Sequence, residues 1–166
     1  GDFGAGTGFL SLRLAQSAKT VFAVDQSRKM LSELKKSSHG AGFNHIVPII
    51  GTFEAVPLFD ESLDAAYSNM ALHHVQDPAE AIAEIYRTLK PGGQLVITDV
   101  AAHDGTWAHE EMHDVWLGFE SHQLRQWFIE AGFTQVSVEP TGLYCQGTSS
   151  KGIFTRTGIL IAKGVK

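Results

Sequence analysis

Three glycines at alternate positions, within Gly1-Asp2-Phe3-Gly4-Ala5-Gly6-Thr7-Gly8, constrain this chain more than any other stretch. Glycine takes positive φ at no steric cost and lets a ligand approach the backbone closely. The apolar residues that follow, Phe9, Leu10, Leu12, Leu14, Ala15 and Ala18, have the spacing of a helix packed on a sheet. A glycine loop that opens a helix aims free N–H groups and the positive end of the dipole at whatever binds there. Glycine clusters also make plain turns, so the rest of the chain has to decide.

The rest is an alternation of strands and helices. Thr20 to Val24 is a short β-rich run that ends in Asp25, and Ile46 to Ile50 is another, with Pro48 assigning it to a sheet edge. Leu63 to Ser68 and Leu95 to Val100 are the next two strands. Between them, Ser27 to Lys36 reads as a helix with Met30, Leu31 and Leu34 on its buried face and Asp25 as its cap. Asp77-Pro78-Ala79-Glu80 opens a further helix, with a capping acid, Pro at the first position and Glu at capping-box spacing. Its stripe is Ala81, Ile82, Ile85, Tyr86 and Leu89, and Lys90-Pro91-Gly92-Gly93 stops it. Strands joined through helices need right-handed parallel crossovers, which predicts an α/β, doubly wound sheet. Farther on, Ser121 caps a helix closed by Gly132, Val136 and Val138 mark a strand, and Ile153 to Ala162 mark the last one. A Gly/Ser-rich loop, including Gly147 to Ser150, precedes that last strand.

Composition narrows the partners. With 166 residues, 43% hydrophobic and 19% charged, the chain suits a single domain with a sizeable core. A net charge of −5 offers no general basic surface for nucleic acid or an anionic membrane. One cysteine, Cys145, excludes an internal disulfide and a cysteine metal cluster, and a reducing, cytoplasmic setting is the default. No apolar run reaches the roughly 18 residues of a membrane span. Because residue 1 is Gly and the loop should follow a central strand, the chain is expected to be truncated, with only Gly1 and Asp2 left of strand 1.

Two cofactor classes use such a sheet. The dinucleotide fingerprint needs glycine at position 9, where Phe9 stands. The pattern Asp2-Phe3-Gly4-Ala5-Gly6-Thr7-Gly8 instead resembles motif I of the class I S-adenosylmethionine-dependent methyltransferases. The resemblance continues in order through Val24-Asp25, Gly51 to Pro57, Leu72-His73-His74-Val75 and Leu89 to Gly93, so it covers about residues 1–100. It implies a Rossmann-like sheet of order 3-2-1-4-5-7-6 with strand 7 antiparallel and strand 1 largely missing. It also implies S-adenosylmethionine as cofactor and methyl transfer to a small molecule. Gly4, Ala5, Gly6 and Gly8 would cradle the methionine moiety, with Asp2 near its amino group. Asp25 would hold the ribose, with Gln26 and Met30 flanking the adenine, Thr52 and Phe53 at its other edge, and Asn69 and Met70 at the sulfonium end. The family usually has an acid where Thr52 stands, and a hydroxyl accepts a hydrogen bond more weakly.

Residues 101–133 look like a segment found in methyltransferase domains attached to winged-helix regulators of the arsenic-repressor type. They are expected to form the substrate side, with Trp107, Trp116 and Phe119 as aromatic walls. Simple core packing is the alternative for those rings. Methyl transfer from a sulfonium is an in-line displacement helped by positioning and exclusion of water. His73, His74 and His103 are the candidates should the acceptor need a base, and one of the paired histidines suits a structural role. Two other readings compete: a cofactor-binding regulatory domain without turnover, and a zinc hydrolase built on His109-Glu110-Glu111-Met112-His113. That motif needs both histidines on one helical face and a third ligand, yet Phe119 stands where a third histidine would, so no metal is expected. Arsenite methylation is disfavoured with a single cysteine.

Overall fold

The computed structural model describes residues 1–166. The first half alternates β1 (Asp2–Phe3), α1 (Phe9–Leu14), β2 (Val21–Asp25), α2 (Arg28–Gly40), β3 (Ile46–Ile50) and β4 (Leu63–Asn69). A 3₁₀ turn (Leu72–His74), α3 (Pro78–Thr88) and β5 (Leu89–Val100) follow. The second half holds α4 (Trp107–Glu111), α5 (Ser121–Glu130), β6 (Thr134–Thr148) and β7 (Phe154–Val165). All seven strands form one sheet of order β3-β2-β1-β4-β5-β7-β6. Strands β1 to β5 run parallel, and β7 lies antiparallel between β5 and β6. This is the order and the antiparallel strand that the resemblance implies, and β3, with Pro48, is an edge strand.

Short as it is, β1 is central. Asp2 lies beside Ala23 of β2 on one side and Tyr67 of β4 on the other. Its two residues are Asp2 and Phe3, one step along from the Gly1-Asp2 pair expected. Phe3 heads a core of 19 buried residues that runs on through Ile82, Ile85, Leu95, Phe119 and Phe128 to Ala162. Burying each such side chain contributes about 1.5–3 kcal/mol. A second cluster, with Ala5, Ala15, Val21, Ala23, Leu31, Leu34 and Ile46, seals α1 and α2 against the sheet. Gly8 belongs to this seal: it has φ 96, and a Cβ there would stand 2.8 Å from Leu34 Cγ.

Several local expectations change. Phe9 is 62% exposed, so α1 buries Ser11 and Ala15 rather than its first ring. Ser27, not Asp25, caps α2, its hydroxyl accepting from the Met30 N–H at 3.3 Å. Met30 is 42% exposed, leaving Leu31 and Leu34 as the buried face. Leu89 has left α3 for β5, where it pairs with Leu63 before the strand shifts register. Glu120 rather than Ser121 precedes α5 as its cap, without a side-chain bond. Gly147 and Thr148 continue β6 opposite Thr155 and Phe154, so the loop is shorter and the β6–β7 hairpin longer than the letters suggest.

Candidate active site

Parallel strands leave their carboxyl ends on one side of the sheet, and the turns there form a crevice where α/β folds bind ligands. Two adjoining cavities occupy it. The first, about 360 Å³, is walled by the glycine turn, the ends of β2 and β4, and the Gly51–Glu54 turn. Gly4, Gly6, Asp25, Gln26, Met30, Thr52, Phe53 and Met70 all line it, eight of the twelve residues assigned to a cofactor. At Gly6, with φ 54, a Cβ would meet nothing within 4 Å, so the backbone faces open space. Asp25 ties the turn to the next helix: Oδ2 accepts the Gly6 N–H and Oδ1 the Ser27 N–H, each at 2.8 Å. A carboxylate has about four lone-pair sites, so two remain for a ligand's hydroxyls.

The other four cofactor assignments lie elsewhere. Asp2 is 1% exposed, and its Oδ2 accepts the Ser11 hydroxyl at 2.5 Å. Burial pushes the Asp2 carboxyl up, against the Ser11 hydrogen bond. Ala5 and Gly8 are packing residues under the turn. Asn69 accepts the Thr98 hydroxyl at 2.7 Å instead of facing the cavity. In exchange, Glu54, Ser27 and Val75 line it without having been singled out. Glu54 brings a carboxylate to the wall where Thr52 offers only a hydroxyl. Its signal was available, an acid two residues past the expected one.

The second cavity, about 310 Å³, lies between the 3₁₀ turn, the α4 segment and the β6–β7 hairpin. His73, His74, His103 and Trp107 line it, together with Asp114, Cys145, Gly147 and Thr155. Met70 and His74 line both cavities, so they form the partition between them. Met70 has φ 54, a left-handed conformation that costs a non-glycine residue about 1 kcal/mol or more and is typical of functional sites.

The three histidines differ in their surroundings. His73 is buried, with Nδ1 2.6 Å from Asp99 Oδ1 and Nε2 3.7 Å from Asp114 Oδ1. Burial pulls its pKa down, but the Asp99 hydrogen bond and the charges of Asp99 and Asp114 outweigh this and hold it above the ordinary value. Asp99 is itself fixed, accepting the N–H groups of Leu72 and Val100 at 2.8 Å. His73 is therefore the more firmly held member of the pair. His74 is 44% exposed, with Nδ1 3.6 Å from Asp114 Oδ1. His103 accepts the Gly105 N–H on Nδ1 at 3.1 Å, which leaves Nε2 as a donor in the neutral ring.

The aromatic walls reduce to one. Trp107 lines the second cavity, its Nε1–H donating to Thr155 Oγ1 at 2.9 Å. Phe119 is 1% exposed and packs against Trp116 and Trp127, with ring centroids 5.9 and 5.7 Å away. Trp116 donates to the Val75 carbonyl at 3.0 Å and lines neither cavity. Phe119 belongs to the core and Trp116 packs against it. The zinc-hydrolase geometry fails as well. Helix α4 stops at Glu111, and His113 lies beyond it at φ 60, so the two histidines share no helical face. His109 bonds through Nδ1 to the Asp114 carbonyl at 2.6 Å, and Glu111 accepts from Ser150.

Known proteins carry the same plan. The methyltransferase domain family matches residues 1–97. An uncharacterized methyltransferase of Mycobacterium tuberculosis H37Rv is 45% identical over 94 residues, 57% of this chain and 36% of that protein. A malonyl-[acyl-carrier protein] O-methyltransferase of Methylococcus capsulatus is 39% identical over 158 residues, 94% of this chain and 54% of that one. The chain thus spans about a third to a half of the length of these relatives. A phosphoethanolamine N-methyltransferase 2 of Haemonchus contortus, solved in complex with S-adenosyl-L-methionine, superposes with a TM-score of 0.81 at 16% identity, over 99% of this chain and 47% of that one. No helix here is long and apolar enough to cross a membrane. By family match and by sheet order, the chain belongs to the class I S-adenosylmethionine-dependent methyltransferases.

Proposed function

We propose that the chain binds S-adenosylmethionine in the first cavity and transfers its methyl group to a small molecule held in the second. The observation that carries this reading is the shared partition: Met70 and His74 face both cavities, so two bound molecules would meet across them. The residues fit the cofactor. Gly6 offers backbone without a side chain, Asp25 keeps free lone pairs for ribose hydroxyls, and Met30 and Phe53 supply apolar faces for a purine. Glu54, on the same wall, is placed to serve where the family's usual acid is replaced by Thr52.

When bound, S-adenosylmethionine supplies a methyl group activated on a sulfonium. The chain's own contribution is to align the acceptor and to exclude water. Residues 101–133 act as the acceptor-side segment of a single domain, with Trp107 as the aromatic wall. Where the acceptor must lose a proton, the group of His73, His74 and Asp114 assists it, with His74 the exposed member.

Calorimetry with S-adenosylmethionine and with NAD tests the cofactor. Asp25→Ala should weaken S-adenosylmethionine by about 1.5–3 kcal/mol through lost charged hydrogen bonds. Tighter binding of NAD would overturn the assignment. Binding without turnover on any small acceptor would favour the regulatory reading instead.

A further inference from the structure

One oxygen in the wall of the second cavity has no hydrogen-bond partner. Asp114 Oδ1 is buried, its side chain only 10% exposed, and no hydrogen bond reaches it. Leaving such an atom unsatisfied costs about 1–3 kcal/mol, more for a charged group, so its surroundings call for an explanation. Two imidazole nitrogens lie just beyond hydrogen-bonding range of it, His73 Nε2 at 3.7 Å and His74 Nδ1 at 3.6 Å, the latter also 3.4 Å from the His113 carbonyl. One ligand atom from each of His73, His74 and Asp114 lies within 4.8 Å of the other two.

The two separations from Asp114 Oδ1 suit a common ligand. Around a zinc ion with bonds of about 2.0–2.2 Å, neighbouring donors in a tetrahedron stand about 3.4 Å apart. The support behind them suits it too. A metal-bound histidine typically donates its other ring N–H to a carboxylate, which fixes the tautomer and turns the lone pair to the ion. Here His73 Nδ1 is 2.6 Å from Asp99 Oδ1, and Asp99 is anchored by backbone N–H groups on both oxygens. In the neutral ring that arrangement leaves the lone pair on Nε2, on the side of Asp114. The Asp114 carbonyl is held by His109 Nδ1 at 2.6 Å, which keeps the ligand loop in place.

We propose that His73, His74 and Asp114 form a binding site for one divalent transition-metal ion of the zinc class. It is distinct from the His109/His113 motif, which its helix does not assemble. The three donors leave a tetrahedral ion one open position, the pattern of sites that act on a bound molecule. All three residues line the second cavity, and the ion would therefore meet the acceptor. A Lewis acid there favours an acceptor that presents a hydroxyl or carboxylate oxygen, a step that rests on the transfer reading above.

The test needs no substrate. Tag-free protein, stripped with a chelator and dialysed, is titrated with ZnCl₂ by calorimetry and with CoCl₂ by visible absorption. One ion per chain is expected, with Co²⁺ bands in the visible region. His74→Ala and Asp114→Asn should each weaken the affinity at least tenfold while the thermal midpoint of the metal-free protein holds. His109→Ala should leave it within about threefold. Asp99→Asn is the outer-partner variant and should weaken binding about 10–100-fold. Absence of stoichiometric binding overturns the proposal, as does binding unaffected by His74→Ala and Asp114→Asn. Calorimetry of S-adenosylmethionine on the same stripped protein separates this outcome from failure of the cofactor reading.

Discussion

Phe119 packs in a three-ring cluster with Trp116 and Trp127 and lines neither cavity. Phe119→Ala should therefore lower stability by about 3–5 kcal/mol in urea unfolding, with S-adenosylmethionine affinity little changed in the folded fraction. His74→Ala is the opposite case. Its side chain is 44% exposed, so turnover should fall about 10²–10⁴-fold while the thermal midpoint holds. At this scale, residue type was a better guide than residue role. Gly6 and Asp25 could be read from spacing because a backbone turn and a strand tip have fixed places in the fold. Trp116 and Phe119 could not, because an aromatic ring packs equally well into a core or a pocket, and only the direction of its Cα–Cβ bond decides. Glu54 escaped notice for a related reason: a turn sets which of its neighbouring side chains faces inward.

Helix α3 and the turn after β3 depend on each other. Glu84 accepts the Val56 N–H at 3.1 Å and is paired with Arg87, which also donates to the Val56 and Leu58 carbonyls. The Arg87 hydrogen bond, first, and the Val56 N–H hold the Glu84 carboxyl below its ordinary value of 4.5, against burial. The stability this gives is present above that value and is lost as pH falls through the lower, folded one. Glu84→Gln should thus melt earlier than the parent at pH 7, with the gap closing in the acid range. On the other side of the site, a Cβ at Gly147 would stand 2.8 Å from the far edge of Trp107. Gly147→Ala should raise the acceptor KM and leave cofactor affinity unchanged, measured by steady-state kinetics and calorimetry. The elements of the first half were legible because periodicity, Pro78 and Asp77 all agree. The length of β6 was not, since Gly147 and Thr148 carry loop composition yet gain ladder hydrogen bonds from β7.

Across the whole molecule, the order of the seven strands was legible through its resemblance to a family, with the alternation of the first hundred residues pointing the same way. The second cavity was not, because its walls come from segments as far apart as Met70, Asp114 and Thr155. The first cavity is built from four separate segments, and a ligand that bridges them should stabilise the fold as one unit. S-adenosylmethionine at about a hundred times its Kd should add about 2.7 kcal/mol and raise the thermal midpoint by several degrees, whereas NAD should not. The partition has a further consequence. Met70 and His74 line both sides, so two occupants are expected to exchange free energy through them. Such an exchange is reciprocal: the factor by which one guest changes the other's affinity is returned in full. Measured from either side, the coupling should come out the same, and a smaller residue at position 70 should shrink both values together.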